Sequence, residues 1–185
     1  MRRSFFLIAL CFLAIILTGC ESYKTHRQLR ELMDSSIMLP TNALCVYEGE
    51  VSSMPDSLRG KTKFIVFVDS TECSRCRISR FARYIDLFRL SDETQAFFPV
   101  LLVSTPVLEQ EEIIEHLLQI ELPFPVYLDV EHSFAKKNPL MLTNDRFYAV
   151  TVDGDGRILL VGDPSGNEKH MAMWRQRIVD EPFYQ

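Results

Sequence analysis

The chain has 185 residues, 47% of them hydrophobic and 24% charged, the balance of a globular protein and not of a disordered one. A formal net charge of −5 and a pI near 5.4 argue against nucleic acid as a partner. The sequence shows neither repeats nor low-complexity tracts, which sets solenoids and biased linkers aside.

Arg2 and Arg3 open the chain, and every residue from Phe5 to Leu17 is apolar. That run is shorter than a membrane span and has the length of the apolar core of a secretory signal. It leads into "LTGC", Leu17 to Cys20, which resembles the lipobox of bacterial lipoproteins, where cleavage precedes a cysteine that then carries lipid. Residues 1–19 are therefore expected to be a lipoprotein signal peptide and Cys20 the lipidation site. The alternative, an uncleaved anchor helix, also leaves the remainder in a disulfide-permissive space outside the cytosol. Removing 19 residues from 185 leaves 166, enough for one domain with a real core. Residues 20–35 read as a lipidated tether that becomes a short helix, with Leu29, Leu32 and Met33 as its apolar stripe, and residues 36–185 as the domain proper.

"ALCVYEG" places Cys45 on a β segment ahead of the core, as a small buried apolar residue. "KFIVFV", residues 63–68, is β-branched and aromatic without a period, the pattern of a strand covered on both faces. Directly after it comes "DSTECSRC". From Ser74 to about Leu90 the residues Ile78, Phe81, Ala82, Ile85 and Phe88 recur at three and four, predicting one amphipathic helix. "FPVLLVS", Phe98 to Ser104, is the next strand. A helix follows Pro106, with Glu109, Glu111 and Glu112 in its first turn, as the helix dipole favours, and Ile113, Leu117 and Ile120 facing inward. "FPVYLD" is a short strand and "EHSFAKKN" a single helical piece. "RFYAVTV" and "RILLVG" are two strands joined by "DGDG", a strong hairpin signal. A last helix runs from about Asn167 to Val179 with Met171, Trp174 and Ile178 on one face.

Of the five cysteines, Cys11 leaves with the signal and Cys20 is expected to be acylated. Cys45, Cys73 and Cys76 remain. An odd count is no disulfide framework; one local pair with a spare is what a redox or metal motif leaves.

The order β-α-β-α-(β-α)-β-β-α, with Cys-x-x-Cys after the first core strand, resembles the thioredoxin-like superfamily. "FPVYLDVEHSFAKKN" resembles the strand-helix insertion of membrane-anchored periplasmic redoxins, and "FYAVTVDGDGRILLVGDP" resembles their C-terminal hairpin. "VDSTECSRC" together with "VGDPSGNEKHMAMW" is similar to lipid-anchored thioredoxin-like proteins of Bacteroidota. The resemblance implies an α/β thioredoxin-like fold, a central mixed sheet flanked by helices, with the extra strand-helix insertion before the hairpin. It also implies a thiol-disulfide oxidoreductase in the cell envelope, facing the periplasm or cell surface, that needs no cofactor. Its partners would be the membrane, through lipid on Cys20, and an envelope redox partner or client protein.

In that reading Cys73, at a strand-to-helix junction, is the attacking thiol and Cys76 the resolving one. The helix N-terminus, Arg75 and Arg77 favour the Cys73 thiolate, whereas the Glu72 carboxylate opposes it. Asp69 is placed to assist proton transfer or to serve as an exposed or capping carboxylate. Two departures from the family stand out: Glu72 occupies the usual tryptophan position, and the groove position of the usual cis-proline falls near Phe147. Tyr127, Phe147 and Tyr148 either line that groove or pack the sheet.

Two other functions fit the same residues. A thioredoxin fold can act as a non-enzymatic binding or assembly lipoprotein. The two thiolates can also hold copper(I) or zinc, with His132, His170, Met171 and Met173 as further donors, although helix packing and a polar turn already account for those four, and no metal is assigned.

Overall fold

A computed structural model of the chain describes residues 22–69, residue 76 and residues 78–181. The expected signal peptide, Cys20, Glu72, Cys73, Arg75 and Arg77 lie outside the described residues.

Seven strands form one mixed sheet in the order β2-β1-β5-β4-β3-β6-β7. They are β1 (Leu44–Tyr47), β2 (Glu50–Ser53), β3 (Lys63–Val68), β4 (Phe98–Ser104), β5 (Val126–Asp129), β6 (Ala149–Val152) and β7 (Ile158–Val161). Strands β3, β4 and β5 run parallel, and β1 and β6 close on them antiparallel. Strand β3 lies between β4 and β6, and all six of its residues are buried, as its unbroken apolar run requires. The two-residue period of a strand sorts them. Phe64, Val66 and Val68 enter one cluster, Ile65 and Phe67 the other.

The first cluster is roofed by three helices: α2 (Ile85–Thr94), α3 (Gln110–Ile120) and α5 (Glu168–Arg175). The second is covered by α1, over residues 22–33, and by α4 (Ser133–Lys137), which supply Leu32 and Phe134, both fully buried. Thus the segment next to the expected lipid site is helical from residue 22 and seats Leu32 in the core.

The hairpin predicted at "DGDG" is formed, with β6 and β7 paired and a register shift at Thr151/Val152. Gly156, at φ +86, lets the turn pass against the chain after α1, where a Cβ would collide with the Ile37 carbonyl oxygen. A second hairpin, β1–β2, went unread in the sequence. Its turn has Glu48 and Gly49 both left-handed, at φ 50 and 78, the conformation that two-residue hairpin turns need.

The helix predicted from Ser74 to about Leu90 is broken. Residues 79–80 form a turn, Phe81–Tyr84 a 3₁₀ turn, and only then does α2 begin. The buried positions are Ile78, Phe81, Tyr84, Leu87 and Leu90, at a strict interval of three, while Ala82 is exposed and Ile85 and Phe88 are half-buried. The 3₁₀ turn, with three residues per turn, lines up Phe81 with Tyr84, and in α2 Leu87 and Leu90, three apart, are neighbours on one face. Ring packing selects this line: Tyr84 sits 6.1 Å from Phe64 and 6.2 Å from Phe81, contacts for which Ala82 has no surface.

The last helix begins where the sequence places its start, and Asn167 caps it. Asn167 Oδ1 accepts from the backbone N–H groups of Lys169 and His170, and the helix runs on into a π turn at Gln176–Asp180. Trp174 is its anchor, edge-on to Phe97 at 4.7 Å, with Nε1 donating to Thr151 Oγ1 at 2.8 Å. Ile178 is buried beside it, whereas Met171 is only half-buried and Met173 is exposed.

Leu32 ties α1 to the sheet, so Leu32→Ala is expected to destabilise the fold by about 2–5 kcal/mol. Urea unfolding followed by the fluorescence of Trp174, the single tryptophan, measures it. A loss below about 0.5 kcal/mol would show that α1 is not part of the cooperative unit.

Candidate functional site

The three parallel strands end at one edge of the sheet, and polar side chains collect there. Asp69 follows β3, half-buried. Ser104 ends β4 and Thr105 follows it, both fully buried. Ser104 Oγ lies 2.6 Å from His132 Nδ1, whereas the Thr105 hydroxyl has no hydrogen-bond partner among the described residues. Asp129 ends β5 and is spent on capping α4, accepting from Ser133 N–H and Oγ at 3.0 Å and from Phe134 N–H at 2.7 Å.

The chain leaves β3 at this edge and Cys76 follows within eight residues. Cys76 is helical, exposed and disulfide-bonded. Its carbonyl accepts from Ser79 Oγ at 3.0 Å. Two residues on, fully buried Ile78 pins this turn into the cluster that contains Val66 and Val68.

The same edge is tied together by a carboxylate that sequence reading missed. Asp163 follows β7, its side chain 5% exposed. Oδ2 accepts from Tyr84 Oη at 2.8 Å and Tyr148 Oη at 2.9 Å, and lies 3.6 Å from Arg83 Nη2. Oδ1 accepts from the Ser165 N–H at 2.8 Å and its hydroxyl at 2.7 Å. Burial by itself would raise the pKa of Asp163, but the hydrogen bonds from Ser165, Tyr84 and Tyr148 outweigh it and hold the group below its ordinary value. Burial, then the Asp163 charge, pushes the Tyr84 phenol well up. Three segments therefore meet on one anion: the 3₁₀ turn after the cysteine segment, the entry to β6, and the exit from β7. The "GDP" before the last helix was a detectable signal, since Asp before Pro at a turn is a capping position; its two tyrosine partners, 79 and 15 residues away, were not.

Phe147 is buried, but on the opposite face, among Phe67, Phe134 and Val150. Tyr127 packs in that same cluster, so both serve the core. Tyr148 points to Asp163 instead. Beside it an open groove of about 630 Å³ is lined by Tyr148, Val161, Asp163, Met173, Trp174 and Arg177. Among the described residues no three His, Cys, Asp or Glu side chains converge as a metal site; His132 is engaged with Ser104, while His170 borders the groove. Cys45 is free, on β1, paired with Tyr127 of β5 and Ser52 of β2, and burial pushes its thiol pKa up.

No protein-family model and no curated protein matches the sequence. Solved structures do. A provisionally assigned protein disulfide isomerase from Bacteroides thetaiotaomicron superposes with a TM-score of 0.50 at 20% identity, covering 79% of this chain and 90% of that one. A thioredoxin-like protein from Porphyromonas gingivalis gives 0.49 at 17% identity, covering 82% and 97%. A provisionally assigned thiol:disulfide interchange protein DsbE from Chlorobium tepidum gives 0.47 at 18%, covering 77% and 94%. The class is thereby defined: the chain has a thioredoxin-like fold, with β5 and α4 as the strand-helix insertion before the hairpin.

Because Asp163 ionises in the folded chain below its ordinary value of 3.8, the unfolded chain takes up the proton first as pH falls. The stability it contributes is complete above about pH 4 and is lost as pH drops through the lower, folded value. Asp163→Asn is expected to cost about 1–3 kcal/mol at pH 7 and to flatten the acid limb of stability in urea titrations; an unchanged limb would refute the clamp. Cys45, by its burial and raised pKa, should resist iodoacetamide in the native state and react on unfolding, as peptide mapping would show. Rapid native labelling would place it at the surface.

Proposed function

We propose that this chain is a thiol-disulfide oxidoreductase of the cell envelope that cycles Cys73 and Cys76 while lipid on Cys20 holds it to a membrane. One observation supports it above the rest: Cys76 is exposed, disulfide-bonded and helical eight residues after β3, an interior strand of a thioredoxin-like sheet. A dithiol in such a place has one sulfur presented to solvent near helix N–H groups and a second within reach to resolve.

In the reducing direction the Cys73 thiolate attacks one sulfur of a client disulfide, forming a mixed disulfide and releasing a client thiolate. The Cys76 thiolate then attacks Cys73 Sγ, the client leaves as a dithiol, and the chain ends oxidised by two electrons. The opposite direction reverses each step. Arg75 and Arg77 stabilise the Cys73 thiolate against the repulsion of Glu72. Asp69 is the carboxylate next in the chain to β3 and serves as the proton acceptor for the resolving thiol. Phe147, expected at the family's cis-proline position, packs in the core on the opposite face, and the groove on this side is lined by Tyr148 and Asp163.

The test is alkylation trapping of the purified chain across glutathione buffers. Cys73 and Cys76 should interconvert between dithiol and disulfide within the physiological range, and Cys76→Ser should abolish the transition. A pair that stays in one state throughout would leave the fold a binding module.

A further inference from the structure

We infer that α1 acts as a rigid strut that turns the cysteine-bearing edge of the sheet toward the membrane, with the first turns of α1 and residues 143–146 against the lipid surface. This rests on the lipid anchor at Cys20 proposed above, and it specifies which face that anchor presents.

The direction of α1 is set at both ends. Beyond its C-terminus, Ser36 bridges to Arg157 and the Ile37 N–H donates to the Gly156 carbonyl, at the turn between β6 and β7. Since Val152 pairs with Lys63, that turn lies at the start of β3. Towards its N-terminus, Gln28 Nε2 donates to the Thr143 carbonyl at 3.1 Å and Asn144 Nδ2 to Gln28 Oε1 at 3.4 Å. Residues 143–148 lead into β6 at Ala149, opposite Val66, near the end of β3. So α1 crosses the sheet from the start of β3 to its end, and its N-terminus points past the edge where Asp69 leaves the strand and Cys76 follows.

Six residues separate Gln28 from Ser22, so the helix projects about 9 Å beyond its contact with Thr143. Two more reach Cys20, at most about 7 Å of chain. With Leu32 fully buried and Leu29 half-buried against the second cluster, the helix cannot swing without breaking the core. A bilayer holding an acyl chain on Cys20 therefore lies against this edge.

The surface is suited to lipid headgroups. On a chain of net charge −5, Lys24, Arg27 and Arg146 are exposed here, Arg27 paired with Glu31 at 2.9 Å, with Asp145 and, next to Cys20 in the sequence, Glu21 the neighbouring acids. Tyr23, 73% exposed, and Leu142, 45% exposed, add apolar contact. Cations with an aromatic next to an acyl anchor are the pattern of an anionic membrane interface. The redox partners of such a chain are proteins whose cysteines lie at the bilayer surface.

The full-length, acylated chain, with a bioorthogonal fluorophore at position 145 or position 155, is reconstituted in vesicles of phosphatidylethanolamine and phosphatidylglycerol. Headgroup spin labels should quench position 145 several-fold more than position 155, and a long Gly-Ser spacer between residues 21 and 22 should erase the difference. Equal quenching, stronger quenching at 155, or a Cys20→Ala chain that binds vesicles as the wild type does would overturn the inference. Thiol exchange assayed in the same vesicles is independent: loss of exchange with the gradient intact refutes the oxidoreductase reading and not the orientation, and exchange without a gradient does the reverse.

Discussion

Burial of β3 on both faces is the constraint on which the molecule depends. A strand whose six residues all lose contact with water needs a neighbour on each edge and a layer above and below. Strands β4 and β6 meet the first need, and the two hydrophobic clusters meet the second. Even the one charged residue, Lys63, is drawn in; its ammonium donates to the Leu58 and Lys61 carbonyls while burial lowers its pKa. With β3 immovable, the point at the edge of the sheet from which the chain leaves, at Asp69, is fixed.

That edge is polar by construction. Parallel strands all end on the same side, so Asp69, Ser104, Thr105 and Asp129 are gathered from three separate parts of the sequence. Asp163 completes it from the antiparallel half. Its five hydrogen-bonding and ionic contacts join segments whose relative position the hydrophobic clusters leave loosely specified, because apolar contacts are non-directional and hydrogen bonds are not. The carboxylate thus serves as the rigid joint between the cysteine-bearing segment and the hairpin, while α1 on the other face aims the whole edge.

Much of the fold was legible because its elements carry strong periods. The run "KFIVFV", the "DGDG" turn and the start of the last helix near Asn167 each state a local preference that the tertiary structure kept. The misreadings have physical causes. Between Ile78 and Leu90 two registers of apolar residues compete, and only the presence of Phe64 and Asp163 selects the one using Tyr84 and Leu87. The β1–β2 hairpin hides because its turn places Glu48, not a glycine or asparagine, in a left-handed conformation. Of the site, the cysteines are a matter of spacing and could be named at once; the Asp163–Tyr84–Tyr148 clamp depends on three distant segments meeting and could not.

By itself the sequence determined the Cys-x-x-Cys spacing that makes Cys73 and Cys76 the candidate redox pair, the buried core strand before them and the class of fold, because these come from spacing and from apolar runs that admit one kind of environment. Only the tertiary structure decided which register of the cysteine-proximal segment is buried, which carboxylate holds it, and toward which end of the sheet α1 points. Those are outcomes of packing between elements far apart in the chain, where the energy of a residue depends on neighbours that no local pattern names.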